Sequence, residues 1–248
     1  NKKLFREHGW QPPQTWEAWQ RLCEQVQKET NSSVAPLAFQ GRYSFYAQPL
    51  LEHLFYQWGG KSGYARLKQW DPQVFSEPWC ERSLEAVQKM TRFFGPGWQG
   101  MSHTEAQMAF FQGKAAMVVC GSWLKGEMAG NIPADFELGQ FALPPPSDGL
   151  QSQHSLYVSS AYYFVFSHSA QPQGGVEFLK HLTSPQVAQE FVRQRDIPLA
   201  LRGVNHCLSS DLQDLAHIIE SSDDCYGELA GPTLMGASQI WADLRGGL

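Results

Sequence analysis

Apolar residues recur at helical spacing early in the chain. Trp16, Trp19, Leu22, Cys23 and Val26 fall on one face of a segment that Thr15 is placed to cap, with Glu17 in its first turn. Before it, residues 1–9 form a short helix closed by glycine, and Pro12-Pro13 forces an extended link. A short strand is expected over 34–39, then a polar turn at Gln40-Gly41-Arg42, then an amphipathic helix over 44–58 ending at Gly59-Gly60. A polar loop leads to Pro78, and 79–94 is again helical. Ser102 and Glu105 have the form of a capping box opening a helix that stops at Gly113.

The second half alternates in the same way. Residues 115–120 are a short apolar strand broken by Gly121-Ser122, with a helix starting at Trp123. A strand is expected over 136–143, ended by prolines 144–146. The run 156–166, rich in Tyr, Val and Phe, is the most strand-like in the chain. Helices are expected over 173–182 and 185–195, the second with Ser184 as cap and Pro185 at its first position, over 211–221, and from Pro232 onward. Strands alternating with helices predict an α/β chain with at least one largely parallel sheet.

Composition narrows the function. A net charge of −5 with no basic run excludes the clustered Lys and Arg that nucleic-acid binding needs. No segment approaches the roughly 18 consecutive apolar residues of a membrane span. The chain opens at Asn1, so an upstream segment carrying any signal is expected, and nothing about compartment follows from its absence. The five cysteines show no CxxC and no zinc-like spacing. Cys120 is expected to be a buried small hydrophobe, and Cys207 and Cys225 flank one helix, where pairing and free thiols both stay open. Nine Trp leave rings to spare beyond a core.

Three stretches carry a resemblance. They are Asn1-Lys2-Lys3-Leu4-Phe5 with Pro13-Gln14-Thr15-Trp16-Glu17; Phe110-Phe111-Gln112-Gly113-Lys114-Ala115-Ala116-Met117 leading to Gly121-Ser122-Trp123; and the helix pair from Val176 through Leu182-Thr183-Ser184-Pro185. In order and spacing they resemble the extracellular solute-binding proteins of carbohydrate ABC importers, a family that includes maltodextrin and glycerol-phosphate receptors. The resemblance implies a two-lobed, type II periplasmic-binding-protein fold with the N-terminal part of one lobe missing. It places residues 1–155 in the C-terminal lobe, 156–204 in the N-terminal lobe, and 205–248 back in the C-terminal lobe. It also implies a sugar or oligosaccharide ligand, hinged closure, ABC permease subunits as partners, and a periplasmic or extracellular monomer, lipid-anchored or free. No cofactor and no metal are implied.

A sugar needs flat rings for its C–H faces and polar groups for its hydroxyl rim, and in α/β sheets such ligands sit beyond the carboxyl ends of strands. That rule selects the loop with Gln40, Tyr43 and Ser44. Here the Tyr43 ring either projects into a cleft, as the resemblance implies, or packs on its own helix. It also selects Gly121-Ser122-Trp123. Gly121 would let a ligand approach the backbone, Ser122 would cap the next helix or donate to a hydroxyl, and Trp123 matches the family's stacking Trp or is wedged between helix and sheet. Ser159 and Ser160 stand where many relatives have a glycine pair, and Trp241 is open between site and core. Arg202 is either an anion anchor or a solvated surface residue. A phosphorylated-polyol receptor and a non-transport sensory module are the alternatives; Asp196 would repel phosphate in the first.

Enzyme motifs are absent: no GxSxG, HExxH, GxxxxGK[ST] or GxGxxG occurs. Asp223-Asp224 is a carboxylate pair, but neighbours at a helix end point apart. The chain reads as a binder.

Overall fold

The computed structural model describes residues 1–159 and 163–227, less the side chains of Ser44 and Phe45. Local signals set the first elements. Helix α1 (Lys2–His8) is capped by the Asn1 side chain and closed by Gly9 in the left-handed region. Helix α2 (Trp16–Glu29) begins at Thr15, whose hydroxyl accepts from Ala18 N, and it buries Trp16, Trp19, Leu22, Cys23 and Val26, the stripe its spacing predicts. Strand β1 (Ala35–Ala38) follows, and a 3₁₀ turn, Ser44–Ala47, feeds helix α3 (Gln48–Lys68).

Helix α3 is buried on nearly every side, so its sequence shows no single apolar stripe. Its polar side chains are partnered inside. Gln48 and Tyr64 both donate to the Glu52 carboxylate, and Gln57 donates to Ser155 Oγ at 2.9 Å. The helix was expected to end at Gly59-Gly60. The break is there, with Gly60 at φ 66° and ψ 178°, but the helix resumes to Lys68. Trp79 explains the resumption: its indole lies across Gly59 and Gly63, so close that a Cβ on either would stand 3.0 Å from the ring. Trp79 belongs to α4 (Pro78–Met90), which ends in a 3₁₀ turn, Thr91–Phe93, rather than running as one helix to 94.

Helix α5 (His103–Phe111) opens on the expected capping box and leads into β2 (Ala115–Val118). β1 and β2 pair in parallel, Ala35 against Ala115 and Leu37 against Met117, joined by the long crossover that parallel strands need. Both faces of this pair are buried. Leu37, Phe39, Ala116 and Met117 join the larger core with α2 and α3, while Ala38, Ala115, Phe110 and Phe111 join a second core. A second parallel pair is made by β3 (Ser155–Tyr157) and β4 (Asp224–Tyr226).

Two strand expectations fail. Residues 136–143 form no strand: Lys2 N donates to Glu137 O, Gln140 N to the Asp214 carboxylate, and Leu138 is buried in the second core without a ladder. Side-chain and loop partners satisfy this backbone, and the prolines that follow can donate nothing to a sheet. The run 156–166 keeps its strand only to Tyr157, with Val158 N donating to Tyr226 O just beyond. Residues 163–166 are irregular, and Tyr163, Phe164 and Phe166 stand about 70% exposed. β-propensity is a fit to a pleated, half-buried surface, and among the described residues no strand lies alongside them.

The helix pair forms as α7 (Pro172–Leu182) and α8 (Pro185–Arg195). Ser184 holds the cap position, but its hydroxyl turns back to His181 O. α7 buries none of its residues, whereas α8 sends Ala188 and Val192 into the second core. A 3₁₀ turn, Ser210–Leu212, and α9 (Gln213–Ser221) precede β4. The helix expected from Pro232 lies outside the described residues. All five cysteines are free. Cys207 and Cys225 are not joined, and Cys120 is half-buried rather than buried, its sulfur accepting from Gln107 at 3.5 Å. No helix among the described residues is long and apolar enough to cross a membrane.

Candidate functional site

Parallel pairing sets the loops that follow β1 and β2 side by side at one end of the sheet. The loop after β1 is fixed from below. Gly41 N donates to Trp98 O at 2.7 Å and Arg42 N to Met101 O, while the buried Gln40 side chain donates from Nε2 to Tyr43 O at 3.1 Å. Gln40 thus braces the loop backbone, and its Oε1 has no hydrogen-bond partner among the described residues. Tyr43, held at the crest, is 54% exposed and is not packed away on its helix. Ser44 starts the 3₁₀ turn; its side chain lies outside the description.

The loop after β2 turns a Trp back over its own backbone. The six-membered ring of Trp123 covers Gly121, where a Cβ would stand 2.1 Å from the indole, so only glycine admits this ring placement. Trp123 is half-buried and packed against the larger core. The short helix α6 (Leu124–Glu127) begins one residue later than expected. Trp123 itself occupies the cap position, without a side-chain cap, so Ser122 does not cap the helix; it is half-buried.

Beneath these loops runs a polar chain that sequence reasoning missed. The Tyr46 hydroxyl hydrogen-bonds His103 Nδ1, His103 Nε2 lies 2.8 Å from Glu127 Oε2, and the buried Gln107 donates to the same carboxylate oxygen at 2.8 Å. Burial, with Cys120 adding to it, pushes the Tyr46 hydroxyl up to about 12, against Trp123, which acts to lower it, so it stays a neutral donor and acceptor. Motif inspection had read Ser102-His103-Thr104-Glu105 as a cap alone, and the capping box is present. Nothing local marks His103 as a partner of Tyr46 and Glu127.

The other sequence candidates scatter. Ser159 is exposed just past β3, and Ser160 and Trp241 lie outside the described residues. Arg202 is exposed. Asp196 is turned inward: its carboxylate accepts from Lys125 Nζ and Ser209 Oγ, both at 2.7 Å, and these partners hold it ionised below its ordinary range against the cost of burial. It therefore bridges α8 to α6. Asp223 and Asp224 point apart, the first to Ser152 and the second to Tyr56 and Lys61. Among the described residues no three His, Cys, Asp or Glu side chains converge as a metal site.

Residues 1–189 match the family model of bacterial extracellular solute-binding proteins. Similar curated proteins include the diacetylchitobiose binding protein NgcE of Streptomyces coelicolor, 24% identical over 216 residues (82% of this chain, 44% of that protein). Another is the multiple sugar-binding protein of Streptococcus mutans, 23% identical over 221 residues (88% of this chain, 52% of that protein). The chain thus spans about half the length of the curated relatives it matches. Among solved structures, a chitin oligosaccharide binding protein superposes with TM-score 0.79 at 18% identity, over all of this chain and 64% of that one. RafE in complex with raffinose superposes with TM-score 0.69 at 20% identity, over 99% of this chain and 68% of that one. These likenesses establish the fold: the chain carries part of a type II periplasmic-binding-protein architecture.

Proposed function

Because this chain belongs to the bacterial extracellular solute-binding protein family, we propose that the complete protein captures a sugar or oligosaccharide between two lobes and delivers it to the permease of an ABC importer. The observation that carries this reading is the pairing of the two loops at one end of the β1–β2 sheet. One raises the Tyr43 ring and the other lays down the Trp123 ring. Two aromatic faces on adjacent loops suit the C–H faces of a pyranose. Relatives named for diacetylchitobiose and multiple sugars support a saccharide ligand.

The proposed lobe assignment puts 1–155 and 205–248 in one lobe and 156–204 in the other. The exposed rings of Tyr163, Phe164, Phe166 and Phe178 support it, since they suit a surface that another part of the fold covers. Ala188 and Val192 pack toward the second core, so α8 lies at the border between the two. Binding would then act by hinged closure, the ligand adding contacts that only the closed form completes. The family is one of receptors, and the protein works without catalysis, outside the cytoplasm.

Ligand binding to the folded state alone stabilises it by about 2.7 kcal/mol at a hundredfold excess over Kd. A thermal melt of the complete protein against diacetylchitobiose, raffinose, other oligosaccharides, polyols and glycerophosphodiesters should therefore show a rise of several degrees with at least one saccharide. A flat response across the whole panel defeats the receptor reading, and a rise with glycerophosphodiesters alone redirects it to phosphorylated polyols.

A further inference from the structure

We propose that Lys125 is a positioning residue of the binding surface: it clamps helix α6, and with it the Trp123 loop, to the end of α8. The proposal rests on the receptor reading for its purpose, while the clamp itself is read from geometry alone.

The loop and the helix are one piece of backbone. Glu127 N donates to Trp123 O at 2.9 Å and Leu124 N to Gly121 O at 3.2 Å, so the turn of α6 closes on the residues that carry and underlie the ring. At four residues α6 is a single turn, too short to hold its own shape. Its place is set from outside. Leu124 enters the second core. Glu127 accepts from Gln107 at 2.8 Å and lies 2.8 Å from His103 Nε2, both on α5. Lys125 and Glu127 stand two positions apart, about 200° around a helix, so Lys125 leaves on the opposite side.

There the ammonium is fully used. Its three N–H donors meet three acceptors: Asp196 Oδ2 at 2.7 Å, Ser209 Oγ at 2.8 Å and Asp211 Oδ2 at 2.8 Å. Asp196 is itself fixed, since Ser209 donates to it from both backbone N and hydroxyl, at 2.8 and 2.7 Å. It also stands at φ 52° as the cap of α8, a position that glycine fills most readily. What aspartate adds there is its carboxylate. A Cβ added at Gly126 would lie 3.9 Å from Arg195 O and Ile197 Cδ1, so α6 and the end of α8 run close together at this point. Burial would lower the Lys125 pKa, but the hydrogen bonds to Asp196 and Asp211 outweigh it and raise it. In the proposed lobe assignment Lys125, Ser209 and Asp211 belong to one lobe and Asp196 to the other. The clamp then sits where the lobes meet and relates the Trp123 loop to both.

The test follows the Trp123 indole N–H in ligand-free complete protein labelled with ¹⁵N-indole tryptophan, its resonance identified by loss in Trp123→Phe. Lys125→Met keeps the length of the side chain and removes the charge; it should shift the Trp123 signal while indoles elsewhere stay in place. Asp196→Asn, nearly isosteric, should shift it in the same direction by less, and the double variant should add little to Lys125→Met. Arg66→Met breaks another clamp on two carboxylates, Asp71 and Glu77, at the end of α3. It should lower the melting temperature and leave the Trp123 signal alone; an equal shift there overturns the proposal. An unchanged Trp123 signal in folded Lys125→Met overturns it too. If that variant does not fold, an unchanged signal in Asp196→Asn overturns it, and so does unfolding of both, since the clamp is then only scaffold. Titration with diacetylchitobiose and raffinose is a separate arm. If wild type binds either, Lys125→Met should weaken it about tenfold, and equal affinity overturns the proposal. If wild type binds neither, the receptor reading suffers while the indole signal still decides the positioning role.

Discussion

Replacing Trp123 with alanine is expected to weaken saccharide binding by the complete protein about 30-fold or more, with the variant still folded. The ring is only half-buried, so its deletion opens no closed cavity, and the loss falls on the ligand rather than on the core. Central aromatic anchors commonly contribute about 2 kcal/mol or more when truncated, and each 1.4 kcal/mol is tenfold in Kd. Tyr43→Ala should cost less, about tenfold, because a phenol ring offers a sugar face less area than an indole. Calorimetric titration with the best saccharide from the melt panel reads both. Wild-type affinity in folded Trp123→Ala would remove the aromatic sandwich from the site and leave the polar rim to explain recognition.

Acidification should destabilise this protein before its carboxylates titrate, and His53 is the reason. His53 is wholly buried in α3, with Nε2–H donated to Pro144 O at 3.0 Å and Nδ1 accepting from the Tyr226 hydroxyl. Burial lowers its pKa from 6.5 to about 4, only partly countered by the Pro144 bond. A base whose folded pKa is depressed binds fewer protons folded than unfolded, so stability is full above pH 6.5 and declines as pH falls toward 4. Between pH 8 and pH 5 that loss is about 2 kcal/mol, a large share of the stability of a typical domain. Urea unfolding at the two pH values measures it. His53→Gln should start less stable at pH 8 but lose less on acidification; parallel losses in the two proteins would show that the sensitivity lies elsewhere.

What could be seen in advance follows from the range of the forces. Helix α2 was legible because its cap and its stripe are written within fourteen consecutive residues. The loops after β1 and β2 were legible as candidate site loops because strand, glycine and ring are contiguous. The polar chain was not: Tyr46 finds His103 across 57 positions, and His103 finds Glu127 across 24. Each residue taken alone looks like ordinary surface or helix filler. The two failed strands share another cause. A strand is defined by its neighbour, and the residues at 136–143 and 163–166 have strand-like side chains without a ladder to join. Gly60 shows the converse, since a local break was correctly placed while its repair by Trp79 depended on a residue sixteen positions beyond Gly63.

The bare rings of Tyr163, Phe164, Phe166 and Phe178 have a practical corollary. A preparation limited to these 248 residues would present an adhesive strip to its own copies, and colloidal self-association would grow with concentration. Light scattering should register that before any calorimeter registers a ligand, so dilute samples are where the molecule's own behaviour will be seen.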